Sequence, residues 1–358
     1  MLELTPKEIT ERKGLVINPA KTCQPIGAMY AALGIKGCMP HSHGSQGCSS
    51  YHRMHLTRHF RDPIIGTTSS FTEGAAVFGG KSNLTDSIKN IFTIYNPDVI
   101  AINTTCLSET IGDDIPSIIS AAEKEIPEGK VVFHANTPSY VGSHITGFSN
   151  MVRTFTKPKA TDNGKINVIP GFVNPGDMRE IKTLLKTMSV PFVMFPDTSG
   201  VVDTAMTGKY EMFSKGGTTI DELKETGDSM ATFALGKWAS EEASNDIEKK
   251  AKVKSIVLKT PIGVKATDEF LMAVSEITGK AISPEIEEER GQLVDVLTDT
   301  HFHFHGKKVA IFGDPDIVVA MTEFCLSMGM KPVHVLTGTA GAAIEATLNE
   351  MLTEAGVK

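Results

Sequence analysis

The chain has 358 residues, 41% hydrophobic and 22% charged, with a formal net charge of −7 and an isoelectric point near 5.9. That length supports two or three globular domains with cores of their own, and the acidic balance excludes the basic footprint of a nucleic-acid binder. No apolar run nears the roughly 18 to 20 residues of a membrane span. Met1–Glu8 is acidic where a signal peptide is basic and then apolar, so a cytoplasmic protein is expected.

In chain order, residues 1–20 read as a short charged helix and an extended lead-in, Gly14–Pro19. Lys21–Pro25 is a turn, and the small apolar residues from Gly27 to Leu33 suit a tightly packed helix. Pro40–Cys48 carries glycines, serines, two histidines and a thiol without apolar periodicity. It reads as a loop that folds its backbone N–H groups around an anionic sulfur or cluster. Ser49–Phe60 reads as a helix stopped by Pro63, which places Cys48 at a helix N-terminus and predicts a lowered thiol pKa. A Thr-, Ser- and Gly-rich loop, 66–80, precedes a helix over Leu84–Tyr95.

Asp98–Asn103 is a continuous apolar run of strand length, followed at once by Thr104-Thr105-Cys106 and a helical segment. Ligands in open α/β sheets bind beyond the carboxyl ends of such strands, so Cys106 stands in a favoured place. Lys130–Ala135 repeats the arrangement with Asn136–Ser139 behind it. After a polar bridge, Lys157–Gly164, the alternation restarts: strands over 165–169, 190–195 and 253–258, helices over 174–188, 219–228, 230–235 and 285–304. A last strand–turn–helix opens at Lys308, with a strand over Pro332–Leu336 and a helix to about Ala355. Alternating β and α predict consecutive doubly wound domains: 1–160, 161–305 and an incomplete 306–358, whose two strands are too few for a covered parallel sheet.

Five cysteines in a chain this long make no disulfide framework. Cys23, Cys48 and Cys106 lack the close pairs of zinc sites, but thiolates gathered from separate loops are what an iron–sulfur cluster uses. The bland alternative is that each is a small buried hydrophobe, as Cys38 and Cys325 look to be. His41 and His43 read as satisfied loop histidines, and His301, His303 and His305 as surface residues pointing to different faces. Ser139, behind a proline after a strand, reads as a turn or helix N-cap residue. Asp295 and Asp299, one helical turn apart, read as a solvated face, with a hard-cation site as the minority alternative.

Several of these stretches together resemble the β subunits of nitrogenase molybdenum–iron proteins. They are Lys21-Thr22-Cys23-Gln24-Pro25, His43-Gly44-Ser45-Gln46-Gly47-Cys48, Asn103-Thr104-Thr105-Cys106 with Ile111-Gly112-Asp113-Asp114, and Thr137-Pro138-Ser139-Tyr140-Val141-Gly142-Ser143. The likeness continues through Phe195–Gly200, Thr260–Gly263, Glu289–Gly291 and Gly313–Asp316 and so covers essentially the whole chain. It implies that Cys23, Cys48 and Cys106 hold the β side of the P-cluster, an eight-iron, seven-sulfur centre shared with an α subunit. Ser139 then matches a serine that ligates iron on oxidation, Tyr51 a tyrosine lying towards the molybdenum cofactor of the α subunit, and Phe78 the docking surface for the iron protein.

The resemblance also implies an iron or calcium ion between two β subunits, held by the Arg61 carbonyl and Asp62 of one and by Asp295 and Asp299 of the other. Asp62 replaces the family's glutamate there. The function implied is electron relay within an α2β2 tetramer for reduction of dinitrogen to ammonia, with ATP bound by the iron protein and not by this chain. Vanadium or iron-only nitrogenase β subunits and a cofactor-assembly scaffold are the neighbouring readings. The family's third domain continues beyond Lys358, so a fragment is expected.

Overall fold

The computed structural model describes residues 21–155, 163–339 and 341–357. The helix and lead-in expected over 1–20, and most of the bridge over 157–164, lie outside the described residues. Ten strands and fourteen α-helices alternate through the rest. The first sheet is built from β1 (Cys38–His43), β2 (Thr67–Thr68), β3 (Val99–Thr104) and β4 (Val131–Ala135). Its order is β2-β1-β3-β4 with every pair parallel. Around it lie α1 (Gln24–Leu33), α2 (Gln46–Phe60), α3 (Glu73–Phe78), α4 (Lys81–Tyr95), α5 (Cys106–Ile111), α6 (Ile115–Ala121) and α7 (His144–Arg153).

The second sheet repeats the pattern in the order β6-β5-β7-β8, all parallel. Its strands are β5 (Ile166–Ile169), β6 (Phe192–Met194), β7 (Ala231–Leu235) and β8 (Lys254–Leu258). The helices of this part are α8 (Pro175–Thr187), α9 (Ile220–Glu225), α10 (Lys237–Ala251), α11 (Gly263–Thr278) and α12 (Pro284–Phe304). A third sheet of two parallel strands, β9 (Lys308–Gly313) and β10 (Lys331–Thr337), carries α13 (Pro315–Ser327) and α14 (Ala342–Glu354). The fold is therefore the expected series of parallel doubly wound sheets, with the last incomplete among the described residues.

In the first sheet the connection reverses between β1 and β3, and in the second between β5 and β7. Such a reversal leaves a crevice outside the carboxyl ends of the two strands. β3 is buried along all six residues because helices cover both faces, which is why it reads as an unbroken apolar run. β1 is equally buried although it contains Pro40. The proline is tolerated because β2 pairs only with His41 and Ser42, so Pro40 has a neighbour on one side only.

The hub of the core is α1, buried at every one of its ten residues. Gly27 and Gly147 bring it against α7: a Cβ on Gly27 would lie 1.7 Å from the His144 carbonyl oxygen, and one on Gly147 would lie 1.9 Å from that of Gln24. Tyr30 on α1 reaches the second sheet, its hydroxyl 2.6 Å from the Val173 carbonyl oxygen and 2.8 Å from Thr198 Oγ1. The ring stacks on Phe60 at 5.4 Å and meets Phe172 edge-on at 5.1 Å.

Three local expectations change. Of residues 230–235, expected helical, Ala231–Leu235 form β7, because five consecutive buried side chains fill the slot between β5 and β8. His41 and His43 are not in a loop but on β1, fully buried. His301 and His305 do not point apart: they are four apart in sequence and their rings lie 5.2 Å from each other. The strands β1 and β2 and the helices α3, α7, α10 and α11 are additional to the expected elements, β2 and α3 arising within the expected loop 66–80.

Candidate functional site

The crevice at the β1/β3 reversal is where the chemistry-bearing residues gather. Cys48 lies in the first turn of α2, directly after β1, and Cys106 is the first residue of α5, directly after β3. Cys23 caps the N-terminus of α1. Three helix N-termini thus present thiols, where the helix dipoles favour sulfur in its anionic form. None is in a disulfide; Cys23 is exposed and Cys48 and Cys106 are half-buried.

The loops are locked together by neighbours of the cysteines. Ser45, the N-cap of α2, donates its backbone N–H to Oγ1 of Thr105, the N-cap of α5, at 3.3 Å. The Gly44 φ of 133° lets the chain pass Thr105, whose Oγ1 would be 1.9 Å from any Cβ there. Gln24, next to Cys23, is buried, and its side-chain amide donates to the carbonyls of Pro138 and Val141 at 3.0 and 2.8 Å, bracketing half-buried Ser139. Thr137 donates its N–H to Thr104 Oγ1 and its hydroxyl to the Thr104 carbonyl, both at 2.7 Å, which ties the Ser139 loop to the residues before Cys106.

His144 secures the third loop. Its Nδ1 accepts from the Thr22 N–H at 3.3 Å, and its own N–H donates to the Thr22 carbonyl at 3.0 Å. With Nδ1 accepting, Nε2 carries the proton and donates to Asp314 at 2.7 Å. The segment before Cys23 is thereby tied through His144 to the start of α13.

The thiol of Cys48 does not show the lowered pKa expected from its helix. Burial pushes it up, opposed by the hydrogen bond from Ser45, and the charges of Cys106 and Cys23 add to the rise. Cys48 and Cys106 stand behind neighbouring strands, β1 and β3, whose following loops the Ser45–Thr105 hydrogen bond joins. Cys38 is buried and its thiol is pushed far up by desolvation, and Cys325 is buried too, as expected of core residues.

The remaining expected positions are dispersed. Tyr51 is 70% exposed on α2, and Phe78 is 90% exposed at the end of α3 beside Val77 at 71%. Arg61 caps α2 in the left-handed region with φ 64°, and Asp62 is half-buried at the edge of a cavity of about 650 Å³. Asp295 and Asp299 are exposed on α12. Among the described residues no three His, Cys, Asp or Glu side chains assemble around a single ion.

The model of nitrogenase component 1 type oxidoreductases matches residues 23–358. The chain belongs to that family. It is 58% identical, over 100% of its length and 80% of the relative's, to the nitrogenase molybdenum–iron protein beta chain of Clostridium pasteurianum. It is 45% identical to the corresponding beta chain of a Nostoc species over 95% of its length, and 44% identical to that of Azotobacter vinelandii over 93%. These cover 68% and 66% of the respective relatives. A solved structure described as nitrogenase Cp1 at pH 6.5 superposes with a TM-score of 0.95 at 58% identity, covering 100% of this chain and 80% of that one. A second, at 20% identity and a TM-score of 0.65, shares the fold. The family's members of this type are subunits of an oxidoreductase complex. No helix among the described residues is long and apolar enough to cross a membrane.

The residues next to the cysteines carried the organising hydrogen bonds that sequence reasoning did not assign: Gln24, Thr104, Thr105, Thr137 and His144. Gln24, Thr104 and Thr105 stood in motifs noticed for their thiols and Thr137 in the Ser139 motif, whereas His144 carried no signal of its own.

Proposed function

We propose that the chain is the β subunit of a molybdenum–iron protein and relays electrons from the iron protein towards a molybdenum cofactor in the α subunit, where dinitrogen is reduced to ammonia. The observation that carries this reading is geometric: Cys48 and Cys106 follow the adjacent strands β1 and β3, their loops are joined by the Ser45–Thr105 hydrogen bond, and Gln24 beside Cys23 is bonded to the Ser139 loop. The donor set fits a P-cluster: three undisulfided thiols, half-buried or exposed, each at the start of a different helix. Thiols so arranged would grip separate iron atoms of a larger cluster. When bound, that cluster supplies one-electron storage between donor and acceptor.

The chain's own residues set the geometry. Gln24, Thr105 and Thr137 hold the three cysteine loops and the Ser139 loop to one another. The Ser139 hydroxyl, once deprotonated, is a hard oxygen donor suited to more oxidised iron. Exposed Cys23 and the open side of the crevice leave room for thiols from an α partner. The Val77–Phe78 knob supports docking of the iron protein, which binds the ATP, and Tyr51 flanks the route onwards.

The Arg61 carbonyl and Asp62 of one β subunit, with Asp295 and Asp299 of a second, are proposed to hold an iron or calcium ion between subunits. The exposure of both aspartates on α12 supports it. The assembly is then an α2β2 tetramer in the cytoplasm, and the three sheets support the division 1–160, 161–305 and 306–358. The test is iron, acid-labile sulfide and EPR on anaerobic protein co-expressed with its α partner and the cluster-assembly machinery. Cluster signals that appear on oxidation and vanish in Cys48→Ala support the relay. An intact, iron-free α–β complex overturns it.

A further inference from the structure

His43 holds both ends of the helix that begins with Cys106. Its carbonyl accepts from the Thr105 N–H at 3.0 Å and from Ser108 Oγ at 2.8 Å, at the start of α5. Its ring Nε2 lies 3.1 Å from Oδ2 of Asp113, just past the end of α5. Gly112, at φ 82°, turns the chain so that Asp113 N–H returns to the Ser108 carbonyl at 3.2 Å. A carboxylate only accepts, so Nε2 carries the proton; burial keeps the ring neutral, and Nδ1 must accept from the Ser69 hydroxyl at 2.8 Å. The ring has no exposure to solvent.

Asp113 has a second attachment. Both its carboxylate oxygens accept from the Gly80 N–H, 3.1 Å from the nitrogen; Gly80 follows exposed Val77 and Phe78 and half-buried Gly79 and caps α4. Phe71 fills the space between: its ring meets His43 edge-on at 4.8 Å, and a Cβ on Gly80 would fall 2.0 Å from it. The backbone N–H of Phe71 donates to the Gly44 carbonyl at 2.9 Å. The knob, the carboxylate, the imidazole and the cysteine helix form one tightly packed cell, with no slack at Gly80 for the knob to move alone.

We propose that His43 and Asp113 are positioning residues that couple the Val77–Phe78 knob to the Cys106 helix, so that a protein docking at the knob stiffens the thiol end of α5. This rests on the reading of the knob as a docking site. Each acts through α5: His43 at its first turn and Asp113 just past its end. The interaction is a hydrogen-bonded, close-packed connection between two sites, the kind of contiguous contact through which coupling can travel.

Hydrogen–deuterium exchange on the α–β complex, with and without the iron protein, tests it in the parent and in His43→Gln and His43→Leu. The glutamine can accept from Ser69 and donate to Asp113, whereas the leucine fills the space and does neither. In the parent, docking protects residues 77–83 and, with them, residues 104–113. In His43→Leu the footprint at 77–83 remains but protection of 104–113 is lost, and His43→Gln restores it. Without the iron protein, His43→Leu speeds exchange of both segments together by about tenfold or more, leaving α1 unchanged.

Protection of 104–113 that persists in His43→Leu, or is absent in the parent despite a footprint at 77–83, overturns the coupling. Absence of any footprint at 77–83 overturns the docking reading instead. The resting exchange then still decides the coupling, which fails if only one segment responds. Should His43→Leu not fold, Asp113→Ala, which keeps His43 and removes the tie to Gly80, is read by the same comparison.

Discussion

The contact between α1 and α7 yields the sharpest prediction, because it is backbone against backbone. In Gly147→Ala the new Cβ would sit 1.9 Å from the Gln24 carbonyl oxygen, 2.5 Å from its carbon and 2.8 Å from its Cα. Carbon–oxygen contacts settle at about 3.3–3.6 Å, so the helices must part by more than ~1 Å. No rotamer change relieves a clash with main chain, which puts the cost at the upper end for overpacking, about 3 kcal/mol. For a unit of this size that corresponds to a fall in melting temperature of about 6–12 °C.

The same movement carries Gln24 away from the Pro138 and Val141 carbonyls and loosens the Ser139 loop. Gly291→Ala on α12 is the control: nothing lies within 4 Å of the new Cβ, and the helix gains propensity of about 1 kcal/mol. Differential scanning calorimetry of both variants beside the parent decides the matter. A Gly147→Ala protein melting within 2 °C of the parent, with the control raised, would refute the idea that glycine-mediated approach of these helices positions the site.

Further outcomes follow from single groups. Gln24→Ala removes both amide bonds to the Ser139 loop, costing ~2 kcal/mol, and faster deuterium exchange over 137–143 than in the parent is the expected reading. Asp316, in the first turn of α13, places its carboxylate at the N-terminus of α10, where it accepts from the Trp238 and Ala239 N–H groups at 3.2 and 3.0 Å, and burial pushes its carboxyl up from 3.8 to about 6. A raised folded-state value means the fold binds the proton more tightly than the unfolded chain. Stability therefore falls as pH climbs from about 4 to about 6, by ~3 kcal/mol, and is flat above. Urea midpoints against pH should show that slope in the parent and lose it in Asp316→Asn. In cluster-free protein, iodoacetamide should label exposed Cys23 first and Cys38 and Cys325 last, with Cys48 slow until the pH passes the ordinary thiol value of 9.0. Mass spectrometry of timed digests checks the order, and fast labelling of Cys38 would contradict its burial.

The sequence by itself determined the alternation of strands and helices, the strand over Asp98–Asn103 and the identity of the thiols. These are local: an apolar run of strand length needs no partner to be recognised, and a cysteine behind a glycine-rich or strand-end segment is visible from its neighbours. It also carried the family resemblance, since several motifs in one order are specific where any one is not. Tertiary structure alone decided that 231–235 is a strand, because a short apolar run is a helix or a strand according to what covers it, and β5 and β8 cover this one.

The tertiary fold likewise decided that His43 is a buried tie and not a loop residue. The residue that fixes its role, Asp113, is 70 positions away, and no local pattern links the two. The thiol of Cys48 shows the same division. The helix N-terminus that favours its ionisation is local and legible, whereas the burial and the two neighbouring thiols that oppose it arrive from α1 and α5 only when the chain is folded.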